Sequence, residues 1–552
     1  MREDLEARLL QAVARVVREL APDAEVDLAA ISLVPARSPE HGDYACNAGL
    51  VLAKPLRSPP RLLAEKIAAA LDAPDVERIE IAGPGFLNLY LALERWHQVV
   101  SRVLRAGEAW GRSDASAGET VQVEFVSANP TGPLTIGHGR NAVIGDAVAR
   151  LFEAVGCKVT REYYFNDGGR QMRVLADSLR ARYEQALGRE AELPEDGYQG
   201  DYLVEIARAL ADEQGEAWLD AEQDQFKKRA QDAIFADIES TLQRLGISFD
   251  VYFNEASLYE NGSIDEVLES LRDAGFVYEG EGAVWLDSTH MDLDRDRVLV
   301  RSTGEPTYML PDIAYHRDKV SRGFTRIIDV LGPDHIEQFP YVKAATGALG
   351  CDVAGLEVVM YQWVNLRSGG EIVKMSTRKA SFITIDEVLD QVGSDVFRYF
   401  MVERRADTHL DFDLDLARER SDRNPVYKIQ YAHARLCSIE RKASERGVTL
   451  PPIDDLPLQR LDSPGEIELA KRLGHFPDLV VHAARAREPQ EVTRYLLDLA
   501  TAFHTYISDG RRHRVLSEDA DLSHARLALV GAIRTTLANG LALLGISAPE
   551  RM

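Results

Sequence analysis

The sequence predicts a multidomain α/β protein. A parallel-sheet core with a helical insertion lies between an N-terminal α+β domain and a C-terminal all-α domain. Three observations predict this. Strand, turn and helix patterns alternate between residues 120 and 165 and return between 325 and 364, the rhythm of crossover units that join parallel strands. Charged, mostly helical sequence separates the two stretches at about 166–300. From about 385 onward strand signals vanish and long helical patterns take over. The 552 residues accommodate about three or four domains, and the pattern changes place boundaries at 1–112, 113–385 and 386–552.

Each element follows from local sequence. Leu5, Leu9, Val13, Val16 and Leu20 recur at helical spacing in a first amphipathic helix, and a second helical run covers Pro60–Leu71. The stretch VERIEIAGPGFLNLYLAL alternates apolar and polar residues about Gly-Pro-Gly, which predicts a β-hairpin. Residues 107–118 are small and polar apart from Trp110 and read as a linker. Val121–Val126 is a strand, 128–133 is turn chemistry, a helix runs from about Gly137 to Gly156, and 157–165 is a second strand. Further strands follow at 325–332 and 356–364, with a helix between them. The runs at 424–447 and 523–545 are long helices.

Composition narrows the function classes. There are 64 Lys+Arg against 89 Asp+Glu, a net charge of −25, with 45% apolar and 28% charged residues. That balance excludes a disordered or collagen-like chain. It also argues against nonspecific nucleic-acid binding, which needs Lys and Arg at phosphates, while leaving room for specific RNA binding through local basic patches. No apolar run approaches the ~18 residues of a membrane span, and the N-terminus mixes Arg with Asp and Glu, unlike a signal peptide. A cytoplasmic protein without membrane contact is expected. Cys46, Cys157, Cys351 and Cys437 form no CxxC pair, so four buried thiols are expected and no metal site.

Two segments carry chemistry. The first is Ala128-Asn-Pro-Thr-Gly-Pro-Leu-Thr-Ile-Gly-His138, between a strand and its helix. A helix N-terminus offers free N–H groups and a positive dipole end to phosphate. Gly137 lets a flat ring approach the backbone, and His138 can donate to phosphate oxygens. The second is Val373-Lys-Met-Ser-Thr-Arg-Lys379, after Gly369-Gly370 and the last parallel strand. Lys374, Ser376, Arg378 and Lys379 there can clamp a pyrophosphate and stabilise charge developing on it. Alone, the first would be a capped helix and the second a solvated basic loop.

In this order, with an insertion between them, the two segments resemble the HIGH and KMSKS signatures of class I aminoacyl-tRNA synthetases. The stretches VEFVSANPTGPLTIGHGR, YFNDGGRQ, TYMLPDIAYH, GPDH, VKMSTRK, NPVYKIQYAHAR and the final PERM resemble arginyl-tRNA synthetases in particular, over essentially the whole chain. Thr135 stands where HIGH has its first His, and Thr377 and Arg378 replace the second Lys and last Ser of KMSKS. Arg378 or Lys379 is then left to supply the displaced charge.

The resemblance implies a Rossmann-like catalytic core, an N-terminal domain that binds the tRNA elbow and a C-terminal anticodon-binding domain. It implies ATP-dependent formation of arginyl-adenylate and transfer to the 2′-OH of the terminal adenosine of tRNA-Arg, with activation that waits for bound tRNA. The alternative is a non-catalytic tRNA-binding paralogue. His138, Lys374, Ser376 and Arg378 would be catalytic. Thr135, Gly137, His138, Gly332, Asp334, His335, Lys374 and Met375 would contact ATP. Glu124, Ser127, Asn129, His138, Tyr308 and Asp312 would hold arginine, with Glu124 and Asp312 on its guanidinium, since carboxylates pair best with that planar cation. Phe86 and Asn88, on the Gly-Pro-Gly-Phe-Leu-Asn turn, together with Tyr431, Arg511, Arg512 and Met552, would contact tRNA. Mg²⁺ would arrive with ATP, and the family implies a monomer.

Overall fold

The computed structural model describes residues 2–36, 38–373, 383–510 and 512–552. Helix α1 (Arg2–Leu20) buries Leu5, Leu9, Val13 and Val16 along one stripe, whereas Leu20, expected on that stripe, is exposed at the helix end. Strands β1 (Leu33–Pro35), β2 (Tyr44–Cys46), β3 (Val76–Ala82) and β4 (Phe86–Leu91) make an antiparallel sheet in the order β1-β2-β4-β3. Helices α2 (Ala48–Ala53) and α3 (Pro60–Ala70) pack on it, and α1 packs on α3. Helix α4 (Leu93–Ala106) then leads out of this unit. The expected linker at 107–118 is pinned. Trp110 is buried, and Asn539 Nδ2 donates to the carbonyls of Gly107 and Trp110 at 2.9 and 2.8 Å.

The core begins with β5 (Thr120–Glu124), α5 (Ile136–Ala154) and β6 (Lys158–Phe165), a parallel crossover unit. Gly145 permits close contact between α5 and the chain leaving β5, because a Cβ there would lie 2.2 Å from Phe125 Cγ. Helices α6 (Gly169–Ala186), α7 (Asp201–Gln214) and α8 (Gln223–Arg244) form the helical insertion. The stretch 166–300 is not insertion throughout, however. Strand β7 (Val251–Asn254) returns to pair in parallel with β6. Four residues are too few to show a periodic pattern, which is why the sequence conceals this strand. Helices α9 (Ala256–Glu260) and α10 (Ser263–Asp273) and the antiparallel strands β8 (Val277–Gly280), β9 (Ala283–Leu286) and β10 (Arg297–Val300) follow.

Helix α11 (Met309–Ser321), strand β11 (Arg326–Leu331), helix α12 (Phe339–Ala348) and strand β12 (Leu356–Met360) complete the parallel sheet, whose order is β12-β11-β5-β6-β7. Chain direction across the sheet reverses between β5 and β11, so a ligand crevice is expected at their carboxyl ends. Beyond it, β13 (Val364–Ser368) forms a hairpin with β14 (Glu371–Ile372). After α13 (Ile385–Val392) and α14 (Ser394–Val402), strand β15 (Leu410–Asp413) pairs in parallel with β13. It falls in the stretch read as purely helical from 386, and again only four residues carry its alternation. The helical part follows with α15 (Leu414–Arg418), α16 (Pro425–Glu445), α17 (Pro464–Ala486), α18 (Gln490–Ser508) and α19 (Ala520–Leu543). α4 packs against α17 and α19, which joins the N-terminal unit to the helical bundle.

Arg398 of α14 is fully buried where three parts of the chain meet. It donates to Asp146 of α5 at 2.5 Å and to the carbonyls of Leu245, after α8, and Leu544, after α19, each at 2.8 Å. Cys46, Cys157 and Cys437 are buried, but Cys351, expected to be buried as well, is only partly so; all four are free thiols. Among the described residues no helix is long and apolar enough to cross a membrane. Arg398→Met leaves a buried carboxylate short of its main partner and should cost about 3 kcal/mol, read as a lower midpoint of thermal unfolding; an unmoved midpoint would show that this junction carries no stability.

Candidate functional site

A cavity of about 610 Å³ opens at the carboxyl ends of β5 and β11. Its first wall is the turn leaving β5, where Val126 and Ser127 take left-handed backbone angles of φ 65° and 42°. For a β-branched residue this is a costly conformation, which persists only where surrounding bonds enforce it. Those bonds are present. Asn141 of α5 accepts the Val126 N–H at 2.5 Å and donates to the Val330 carbonyl at 2.8 Å, clasping both central strands. Ser127 Oγ donates to Glu124 at 2.8 Å and accepts the Tyr164 N–H at 3.2 Å. Asn129 accepts the Asn166 N–H at 3.1 Å and donates to Gln171 at 3.3 Å.

The second wall is the first turn of α5. Thr135 is its N-cap, and its backbone N–H donates to His138 Nδ1 at 3.1 Å. The ring proton of neutral His138 therefore sits on Nε2, free to donate to a bound oxygen. Burial lowers the His138 pKa and keeps the ring neutral. Thr135 and Gly137 do not line the cavity, although both were expected at a nucleotide. Thr135 instead orients His138, and the space beside Gly137 is open, the nearest atom to a Cβ there being Thr135 Oγ1 at 3.9 Å. Thr135 also bridges to Thr384 in antiparallel fashion, with Ile385 N–H donating to the Leu134 carbonyl at 2.9 Å and Ile136 N–H to that of Ile383 at 3.3 Å. The segment that begins at Ile383, beyond the second motif, is thus tied to the start of α5. Lys374, Met375, Ser376 and Arg378 themselves, and Arg511, lie outside the described residues.

The third wall is acidic. Asp312, in the first turn of α11, accepts from Gln338. Burial pushes its carboxyl up to about 6 against the pull of His316 and His335, and nearby Glu124 and Glu255 push the same way. Glu255 accepts from Tyr164 and, at 2.6 Å, from Asn166, and burial raises it as well. Tyr308 caps α11 and is 68% exposed at the rim. Glu124, expected to stand free for a guanidinium, is already engaged. Its Oε2 accepts from the buried Lys319, because α11 brings that ammonium down onto the sheet. Gly332, Asp334 and His335 line the side beyond β11.

The cavity thus brings together Glu124, Ser127, Asn129, His138, Tyr308, Asp312, Gly332, Asp334 and His335. It also contains residues to which the sequence reading gave no role. Asn166 and Gln171 stand in the YFNDGGRQ stretch, and His316 closes TYMLPDIAYH. Asp329 is legible as an acid within a mostly apolar strand; Lys319, seven positions beyond Asp312, lies behind the cavity wall on Glu124 and Asp329. Glu255 and Gln338 had no such signal. Among the described residues no group of His, Cys, Asp and Glu is arranged to hold a metal ion.

The residues expected at tRNA are far from this cavity in sequence and are differently placed. Phe86 is 38% exposed, but Asn88 is not on the turn. It lies on β4 opposite Ala45 and Glu80 and is buried, because β4 is an inner strand with a partner on each side. Tyr431 is partly exposed and stacks between Tyr427 and His504, at 6.0 and 5.8 Å between ring centres. Arg512 and Met552 are exposed.

Three family models match the chain: "Arginyl tRNA synthetase N terminal domain" over residues 3–91, "tRNA synthetases class I (R), catalytic domain" over 99–408, and "DALR anticodon binding domain" over 429–552. An arginine–tRNA ligase of Desulfotalea psychrophila is 50% identical over 520 residues, covering 93% of this chain and 94% of its own length. One of Geobacillus thermodenitrificans is 46% identical over 563 residues, covering 100% and 99%. The solved arginyl-tRNA synthetase of Thermus thermophilus superposes with a TM-score of 0.78 at 25% identity, covering 99% of this chain and 100% of that one.

The raised Asp312 carboxyl has a consequence for stability. The folded state binds this proton more tightly than an unfolded aspartate does, so stability falls as pH rises from about 4 through 6. Asp312→Asn should therefore raise the unfolding temperature at pH 7.5 and raise it less at pH 5; an equal effect at both would remove the buried-charge account.

Proposed function

Because the chain belongs to the arginyl-tRNA synthetase family, we propose that the cavity between β5 and β11 is where it joins arginine to ATP. The chain is an arginine–tRNA ligase with a class I catalytic domain. The alternative of a non-catalytic paralogue finds no support in relatives that match it as ligases along their whole length. One observation carries the assignment of the cavity: a neutral His138 with its proton on Nε2 and the carboxylates of Asp312 and Glu124 line the same crevice.

In the reaction, the arginine carboxylate attacks the α-phosphate of ATP and pyrophosphate leaves. The 2′-OH of the terminal adenosine of tRNA-Arg then attacks the activated carbonyl and AMP leaves. The nucleophile of the first step is already anionic, so the protein supplies position and charge stabilisation rather than a covalent partner. Asp312 and Glu124 take the guanidinium, with Tyr308 at the rim. Ser127 and Asn129 hold the α-amino and carboxylate end, and His138 Nε2–H donates to a phosphate oxygen. Gly332, Asp334 and His335 flank the adenosine. Lys374, Met375, Ser376 and Arg378 serve the pyrophosphate, and Mg²⁺ accompanies ATP. Phe86, Tyr431, Arg511, Arg512 and Met552 serve tRNA. The stacked Tyr427, Tyr431 and His504 rings support that last assignment, since unpaired bases dock on aromatic faces. A monomer working in the cytoplasm, with domains near 1–112, 113–385 and 386–552, completes the reading.

Arginine-dependent ATP–pyrophosphate exchange tests the proposal. Exchange should appear only when tRNA-Arg is present. Exchange without tRNA would keep the ligase and remove tRNA-dependent activation. Asp312→Asn should raise the KM for arginine at least tenfold with the fold intact. In the unaltered protein, kcat/KM for arginine should fall as pH drops through about 6, where Asp312 takes up its proton and can no longer pair as an anion. A profile flat from pH 8 to 5, or an unchanged KM in the variant, would take Asp312 out of the guanidinium site.

A further inference from the structure

Lys319 takes no part in the chemistry just described, yet it is the most enclosed cation at the site. It lies two turns beyond Asp312 on the same face of α11 and is fully buried. Its Nζ donates to Glu124 Oε2 and, at 2.6 Å, to Asp329 Oδ1, and it sits 4.2 Å from the centre of the Tyr315 ring. Burial opposes its charge, but Asp329 and Glu124 outweigh burial and raise its pKa. A buried ammonium persists only when its partners compensate it this fully.

The two carboxylates do different things with their remaining oxygens. Glu124 Oε1 accepts the Ser127 hydroxyl at 2.8 Å, and this residue lines the cavity. Asp329 Oδ2 meets His316 Nε2 at 2.9 Å, and His316 Nδ1 meets the Asp312 carbonyl at 2.7 Å. Both ring nitrogens of His316 thus face oxygen atoms. A continuous chain of polar contacts thus runs from Ser127 through Glu124, Lys319, Asp329 and His316 to the backbone of Asp312.

We propose that Lys319 is a positioning residue for arginine recognition and acts through Glu124, fixing the orientation of that carboxylate at the cavity wall. The inference rests on the reading of the cavity as the arginine site. Lys319 touches no substrate in this arrangement; its effect reaches arginine only by way of Glu124.

The test is ATP–pyrophosphate exchange with tRNA-Arg present, measured for Lys319→Met, Glu124→Gln and the double variant. Lys319→Met should raise the KM for arginine at least tenfold while leaving that for ATP within twofold. Adding Lys319→Met to Glu124→Gln should raise the arginine KM no further. Equal rises for arginine and ATP, or full additivity in the double variant, would overturn the inference, since a general scaffold would behave that way. Should Lys319→Met fail to fold, Lys319→Met/Asp329→Asn removes the buried charges in balance and must still show the arginine-specific rise; an unmoved KM there overturns the inference as well. A normal unaltered protein beside an unmoved Lys319→Met overturns the inference alone, whereas an unaltered protein without arginine-dependent exchange overturns it together with the reading beneath it.

Discussion

The face that carries the cavity depends on a layer of charged and polar groups buried between α11 and the parallel sheet. Lys319 and His316 project from the helix, and Glu124 and Asp329 from the central strands. Tyr315 and Arg322 extend the layer to Glu162 on β6, with hydroxyl and guanidinium contacts at 2.6–2.9 Å. Such a layer contributes little net stability when complete and is costly when broken. Its value is geometric: it sets the height and rotation of α11 over the sheet, and so the place where Asp312 meets the crevice.

The strained turn after β5 is the counterpart of that layer. Apolar packing alone would let Val126 and Ser127 relax to extended angles and carry Asn129 away from the cavity. The Asn141 clasp prevents this by joining the turn to β11 through α5. Polar groups at this edge of the cavity are thereby preset by rigid elements rather than by a loop free to sample other shapes, which would lower the ordering cost for a ligand.

The long elements were legible in the sequence because each repeats its pattern often enough to average out exceptions. Helices α1, α5, α16 and α19 and strands β5, β6, β11 and β12 all lie where periodicity put them. The short strands β7 and β15 were not, since four residues carry no usable period and their pairing is decided by distant partners. The same distinction holds within the site. Residues in dense local motifs, such as Asn129, His138 and Asp312, were found from their neighbours in sequence. The pairing of Glu124 with Lys319 spans 195 positions, and Asn88 is buried because β4 pairs on both sides, which only the sheet order reveals.

The contacts of Arg398 bear on how freely such a chain can drift. Two of its three partners are backbone carbonyls, at Leu245 and Leu544, which any residue at those positions would present. The junction between the core, the helical insertion and the C-terminal helices is therefore nearly blind to side-chain identity at those two points. It is strict at Gly545, where a Cβ would fall 2.3 Å from the guanidinium and φ is +67°. A chimera that exchanges the C-terminal helices between relatives should thus tolerate wide divergence along them, provided one glycine keeps its place at the seam.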